Sequence, residues 1–140
     1  MYLLDTNVVS ALRRMERLEP HARAWLTATP DLQMYVSSVT VMELQYGALL
    51  RRHRDRAQGD VFVDWIARFV LPTFAGRIIA FDAGMAMRCA ELHVPDQRPE
   101  HDAMIAATAL EHRLTVVTRN VRDFGQMGVP IVNPWDHDAQ

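Results

Sequence analysis

Acids or amides stand at four places in this 140-residue chain where an apolar run ends or a helix opens: Asp5, Glu43, Asp102 and the segment from Asn120 to Asp123. Each has an ordinary reading when taken alone. Asp5, Thr6 and Asn7 are all good helix caps. Thr40-Val41-Met42-Glu43 fits a capping box, in which Glu43 would only satisfy a backbone N–H. Asp102 could complement a helix dipole, and Asp123 could open a turn. Brought together, they behave differently. Two carboxylates ~5 Å apart repel by about 3 kcal/mol at an effective dielectric of about 20. Several converging acids would cost more than any cap returns, unless a divalent cation turns the repulsion into attraction. All-oxygen ligands with open coordination positions suit Mg²⁺ or Mn²⁺ rather than zinc. Such a site can activate water and neutralise a scissile phosphate with no serine or cysteine nucleophile.

The elements between these positions bring them to one edge. Tyr2-Leu3-Leu4 reads as a strand ending at Asp5, and residues 8–17 as a short helix broken before Pro20. A second helix is expected over 21–29, with Ala22, Trp25 and Leu26 on its apolar face. Met34-Tyr35-Val36 is a strand, and Ser37-Ser38 lead into a long helix from Val39 or Thr40 to Arg56. That helix carries Val41, Leu44, Ala48 and Leu49 on one side. Gly59 permits a break, and 61–70 follows as a helix with Val61, Trp65, Ile66 and Phe69 as its apolar face. A third strand over 77–82 ends in Asp82, and 83–93 is a helix. Residues 94–100 form a loop, and His101 opens a helix with Asp102 in its first turn. Strands over 114–118 and 129–132 flank a brief helical piece at Asp123-Phe124. Alternating strands and helices imply an α/β domain with a mostly parallel sheet of about five short strands. One domain over 1–140 is expected. In a parallel sheet, strand C-termini and the helix N-termini that follow share one edge, where ligands bind.

Composition narrows the partners. The net charge is -2 and every one of the 15 Lys/Arg-type residues is arginine, so nucleic acid would be held by a local patch rather than by global charge. Arg51, Arg52, Arg54 and Arg56 are the densest basic run, with a solvated helix end as the plain reading. Arg119 and Arg122 lie beside the fourth acidic segment. The single Cys89, among methionines, reads as a buried thiol and excludes an internal disulfide or a cysteine-rich zinc site. Met42, Met85, Met87 and Met104 read as core residues of helices. No signal peptide or membrane span is evident, so a cytoplasmic protein is expected.

Leu3-Leu4-Asp5-Thr6-Asn7-Val8 resembles the opening motif of PIN-domain ribonucleases, especially VapC and FitB-like toxins of toxin–antitoxin pairs. Residues 39–47, from Val39 through Glu43 to Gly47, are similar to the second motif. Asp102-Ala103-Met104-Ile105-Ala106-Ala107-Thr108-Ala109 resembles the third, and Thr118-Arg119-Asn120-Val121-Arg122-Asp123-Phe124 the fourth. Asn133-Pro134-Trp135 is similar to the ending of FitB-like members. The ordered set covers nearly the whole chain.

The resemblance implies a PIN-like fold with Asp5, Glu43 and Asp102 as Mg²⁺ ligands, Mn²⁺ being a possible substitute. Thr6, Asn7 and Thr118 would orient them. Asn120 stands where some relatives have aspartate, with Asp123 three residues on. An amide there can accept a hydrogen bond from metal-bound water but brings no charge, which favours one resident metal, a second being recruited by substrate phosphate. Arg119, Arg122, Arg51 and Arg52 are the RNA-binding candidates. The implied activity is endoribonucleolytic hydrolysis leaving a 5′-phosphate and a 3′-hydroxyl, inhibited by a cognate VapB-type antitoxin, in a homodimer with no membrane association. Two other readings stand beside it. A non-catalytic PIN-like module would bind RNA or antitoxin without cutting. A HAD-type phosphatase also opens on a strand ending in aspartate, but needs an acid where this chain has Asn7.

Overall fold

The computed structural model describes residues 1–136; residues 137–140, included in the single domain expected over 1–140, lie outside the described residues. Strands β1 (Tyr2–Leu4), β2 (Met34–Ser37), β3 (Ile78–Ile79), β4 (Thr115–Val117) and β5 (Ile131–Val132) form one sheet in the order β3-β2-β1-β4-β5. All four pairings are parallel. The chain therefore starts in the middle of the sheet and fills one side before the other. The reversal falls between β1 and β4, the position at which open α/β sheets form a crevice.

Side-chain alternation along the short strands builds a core on each face. Leu3 and Val116 pack with helices α6 (Ala83–Leu92) and α7 (Glu100–His112), and with Phe124 of α8 (Val121–Gly125). Leu4, Val36 and Val117 pack the other way, against α1 (Thr6–Ala11), α2 (Pro20–Ala28), α3 (Ser38–Arg54) and the π-helical turn Ile66–Val70 that extends α4 (Arg56–Trp65). Leu3, Leu4, Val116 and Val117 are fully buried. Each such side chain contributes about 1.5–3 kcal/mol by leaving water.

Several boundaries differ from the sequence reading. The first helix does not run over 8–17: it stops at Ala11 and continues as a 3₁₀ segment (Leu12–Arg17), with Arg14 non-helical at φ -135, ψ 59. The expected strand over 77–82 pairs only at Ile78–Ile79, and Asp82 instead caps α6, accepting from Met85 N–H at 3.0 Å. The break after α3 is not at Gly59 but at Asp55, which ends α3 and caps α4 by accepting from Gln58 N–H at 3.3 Å. The apolar face assigned to 61–70 holds at Trp65, which packs against the core, and at Ile66, which is buried; Val61 and Phe69 are exposed, and Phe62 and Val70 turn inward in their place. The π-helical turn over Ile66–Val70, which precedes the short α5 (Leu71–Thr73), shifts the phase of Phe69 and Val70 from that of a 3.6-residue period. Leu49 is exposed on α3, as are Met42 and Met87, so those two methionines are not core residues.

Gly59 has a different task. It is buried inside α4, and a Cβ there would lie 2.1 Å from the Arg52 Cα. The glycine lets α4 close against α3. Replacing Gly59 by alanine should destabilise the protein by about 1–3 kcal/mol through overpacking, although alanine is the better helix former. Urea denaturation of the variant checks this; a gain in stability would mean that the helices do not meet so closely.

Candidate active site

The acids meet at the β1/β4 reversal. Asp5 follows β1 directly, and its N–H bonds Val117 O at 2.9 Å, extending the ladder by one residue. It is 4% exposed and caps α1, accepting from Thr6 N–H at 2.8 Å. Capping does not exhaust it. The other carboxylate oxygen accepts from Thr118 Oγ1 at 2.8 Å and from Asn7 Nδ2 at 3.1 Å. Thr118 is itself fully buried, is tied to β5 through Val132 O at 3.0 Å, and accepts from Asn120 N–H at 2.8 Å.

Glu43 is not part of a capping box. Ser37 caps α3, its hydroxyl accepting from Val39 N–H at 3.0 Å, so Glu43 falls in the second turn. Its carboxylate instead accepts from Thr6 Oγ1 at 2.7 Å and lies 3.1 Å from His101 Nδ1. A hydroxyl has one proton and a carboxylate can only accept, so the Thr6 proton goes to Glu43. The Thr40 hydroxyl lies 3.1 Å from that of Thr6 and completes the group.

Asp102, in the first turn of α7, accepts from Asn120 Nδ2 at 3.0 Å, and the same nitrogen donates to Asp123 at 3.0 Å. Between two carboxylates only the NH₂ end of an amide can serve. Asn120 thus donates through Nδ2 to two acids and holds them side by side, which leaves its Oδ1 for the acceptor role expected of it.

Burial, and then the charges of Asp5, Asp123 and Glu43, push the Asp102 carboxyl up to about 6, against a smaller opposite pull from His101. Burial also raises Asp5, with the bonds from Thr118 and Thr6 opposing and Glu43 adding to the rise. The four acids thus feel one another. They are not closed around a point: among the described residues, no three His, Cys, Asp or Glu side chains already form a shell for an ion. The carboxylates are turned toward neutral donors, Asp102 and Asp123 toward a shared one. The chemistry of the set, anionic and all-oxygen, fits a hard divalent cation better than any other metal.

The basic candidates separate. Arg51 faces a groove that begins at Thr6 and Glu43. Arg52 points to Asp60 at 3.8 Å and toward the basic end of α3 with His53, Arg54 and Arg56. Arg119 is exposed and stacks on Trp135, 4.7 Å from its centroid, and Arg122 is exposed on α8. Sequence reasoning missed His101, Thr40 and Arg13. His101 adjoins Asp102, a neighbour that could have drawn notice. Arg13 lies beyond the point where α1 leaves α-helical geometry, so no periodic pattern marks its direction.

Residues 2–129 match the family described as PIN domain. This chain belongs to that family. Toxin FitB of Neisseria gonorrhoeae is 37% identical, across 99% of this chain and 100% of its own length. VapC ribonuclease Y4jK of Sinorhizobium fredii is 33% identical, across 97% of this chain and 99% of its own. Among solved structures, the FitAcB crystal structure from Neisseria gonorrhoeae aligns with a TM-score of 0.84 at 35% identity, covering 96% of this chain and 99% of that one. A toxin–antitoxin complex from Klebsiella pneumoniae aligns with a TM-score of 0.69 at 32% identity, covering 97% and 99%. The PIN assignment sets aside the phosphatase reading. Asn7 agrees, since its amide donates to Asp5 and occupies no proton-donor role.

The raised carboxyls carry a stability cost with a defined sign. The folded protein holds the Asp102 proton up to about pH 6, whereas the unfolded chain releases it near 3.8. Stability of the metal-free protein should therefore fall as pH rises from about 4 to about 6 and stay lower above that. Asp102→Asn keeps an acceptor for Asn120 and removes the charge, so it should raise the melting temperature at pH 7.5 and flatten this part of the profile. Thermal melts of both proteins in chelator from pH 4 to 8 check it.

Proposed function

We propose that this chain is a divalent-cation-dependent endoribonuclease and the toxin of a toxin–antitoxin pair. The observation that carries this reading is the gathering of Asp5, Glu43, Asp102 and Asp123, from four separated segments, each held by hydroxyl or amide donors at the sheet's reversal point. The names of its relatives, a toxin and a ribonuclease matched over nearly their whole length, support the same activity.

Asp5, Glu43 and Asp102 would hold Mg²⁺, or Mn²⁺ in its place, with Asp123 adding charge at the edge. When bound, the cation supplies a water of lowered pKa and offsets charge on the scissile phosphate. The chain's own residues do the positioning. Thr118, Asn7 and the Thr6 amide fix the direction of Asp5; Thr6 and His101 fix Glu43; Asn120 fixes Asp102 and Asp123. Water attacks phosphorus, the P–O3′ bond breaks, and the fragments carry a 5′-phosphate and a 3′-hydroxyl. The Klebsiella relative is a toxin–antitoxin complex. By analogy, a VapB-type antitoxin segment would cover the acids, and the toxin would act as a homodimer in the cytoplasm. No helix among the described residues is long and apolar enough to cross a membrane. A non-catalytic module would have little use for four mutually repelling acids kept in one crevice.

Incubated with RNA and Mg²⁺, the purified protein should cleave, and chelation should stop it. Asp5→Asn and Asp102→Asn should lower the rate by more than about 100-fold, beyond the usual effect of losing only an outer partner. Wild-type cleavage by Asp5→Asn would rule out this site. Asn120→Asp tests the other corner: it replaces the donor between two acids by another charge. The metal-free variant should melt lower at pH 7.5, and the gain in melting temperature on adding Mg²⁺ should exceed that of the wild type. Equal melting temperatures without metal would show that the amide does not bridge Asp102 and Asp123.

A further inference from the structure

The groove that begins at Thr6 and Glu43, at the rim of the acidic site, continues to side chains that the catalytic reading does not use. Thr6, Ser10 and Arg13 line it from α1 and its 3₁₀ extension, and Glu43, Gly47 and Arg51 line it from α3. Glu43, Gly47 and Arg51, four residues apart, step along one face of α3, and Arg13 joins them from the 3₁₀ segment beyond α1. The lining therefore changes from anionic to cationic over about 12 Å, the rise of eight residues of α3. The cavity holds about 270 Å³, with Leu44, Ala48, Phe62, Trp65 and Ile66 as its apolar wall.

At the basic end, the Arg13 guanidinium lies 4.3 Å from the centroid of Phe62 and that of Arg51 lies 5.7 Å from it. Among the described residues, neither forms an ion pair with a carboxylate, whereas Arg14, Arg52, Arg68 and Arg88 each do. Two cations sharing one ring, with Glu16 acting on Arg13 only from beyond ion-pair distance, form a ready receptor for an anion, and guanidinium forks match phosphate oxygens. Gly47 is an independent sign. It lies mid-helix, where glycine is unfavourable, yet a Cβ there would meet nothing within 4 Å. Packing does not require the glycine; what its missing side chain leaves is space in the groove between Glu43 and Arg51.

We infer that Arg13 and Arg51 bind a phosphate of single-stranded RNA flanking the one cleaved at the acids, with Gly47 leaving room for the strand between them. The inference rests on the ribonuclease reading. RNA suits the groove because its anion repeats along the chain: one phosphate meets the acids through their cation, and a neighbouring one meets the arginines. A positively charged channel tracking the backbone is the usual device for single strands.

The test uses the full chain carrying Asp102→Asn, which should bind without cutting, and a labelled single-stranded RNA followed by fluorescence anisotropy in Mg²⁺ across a salt series. Adding Arg13→Ala or Arg51→Ala should weaken binding about tenfold and reduce the slope of log affinity against log salt by about 0.7 for each phosphate that is no longer neutralised. Arg13→Lys, which keeps the charge, should keep the slope. Gly47→Leu should weaken binding by obstructing the strand. Arg88→Ala, which removes a charge paired with Glu111 between α6 and α7, should change neither affinity nor slope. An RNA with a neutral methylphosphonate at the flanking position should bind with the weakened affinity and be indifferent to Arg13→Ala. Unchanged affinity and slope in both alanine variants would overturn the inference and leave the ribonuclease reading standing; a groove serving an acidic segment of a protein partner would give that result. Failure of the wild type to bind or cleave RNA would instead overturn the ribonuclease reading, and this inference with it.

Discussion

Like charge gathered in one crevice is the constraint on which the arrangement of this molecule depends. Burial and mutual repulsion raise Asp5 and Asp102, so the site opposes folding at neutral pH. Something must hold the acids in place against that tendency. The work falls to backbone: Asp5 is pinned by the sheet through Val117, Thr118 by the sheet through Val132, and Asp102 by the first turn of a largely buried helix. Two apolar cores, one on each face, supply the stability that lets these two strand-adjacent positions and the helix turn stay fixed. The shortness of the strands becomes intelligible in this light. Three residues suffice for β1 because Leu3 and Leu4 each anchor a different core, and the next residue is already the site.

The topology does the rest. A sheet that begins at its centre and grows first to one side and then to the other has one crevice where its two halves part. Asp5 follows the strand on one side of it and Thr118 the strand on the other, so a single hydrogen bond between them spans 113 residues of sequence. Glu43 and Asp102 reach the same place from helix N-terminal halves. Positions far apart in the chain thus meet without any long loop.

Much of this was legible from residue types and order. The strand-to-acid junction at Asp5, the helix opening around Asp102 and the parallel sheet all follow from local pattern, because burial on both faces makes strands apolar throughout and turns polar at their ends. Glu43 was located but its partner was not: the Thr40-to-Glu43 spacing suggested a capping box, and Ser37 won the cap by standing one strand-end earlier. Asn120 was read from charge alone, whereas its position between two carboxylates decides which end of the amide faces them. Arg13 and the outward turn of Phe69 share a reason: each lies where the chain leaves α-helical geometry, in a 3₁₀ segment or a π turn, and a 3.6-residue period does not mark the direction of a side chain there. Gly59 looked like a breaker because glycine usually is one, and a close approach between helices leaves no trace in a single sequence.

The identity of the donors around the acids fits the cation site proposed for them. The chain has 15 arginines, yet among the described residues none of them pairs with Asp5, Glu43, Asp102 or Asp123. A guanidinium would hold a carboxylate more firmly than a hydroxyl or an amide does, and would lower the repulsion. It would also cancel the charge that a cation needs and repel the cation itself. Thr6, Asn7, Thr118 and Asn120 orient the carboxylates while leaving their charge intact. Among the described residues, His101 is the one partner able to carry a positive charge, and it sits on Glu43 at the exposed rim rather than in the buried centre. The fold thus keeps arginine for the far end of the groove and neutral donors for the near end. Under the proposed function, that division serves a site whose cation and whose RNA substrate are recognised by charges of opposite sign.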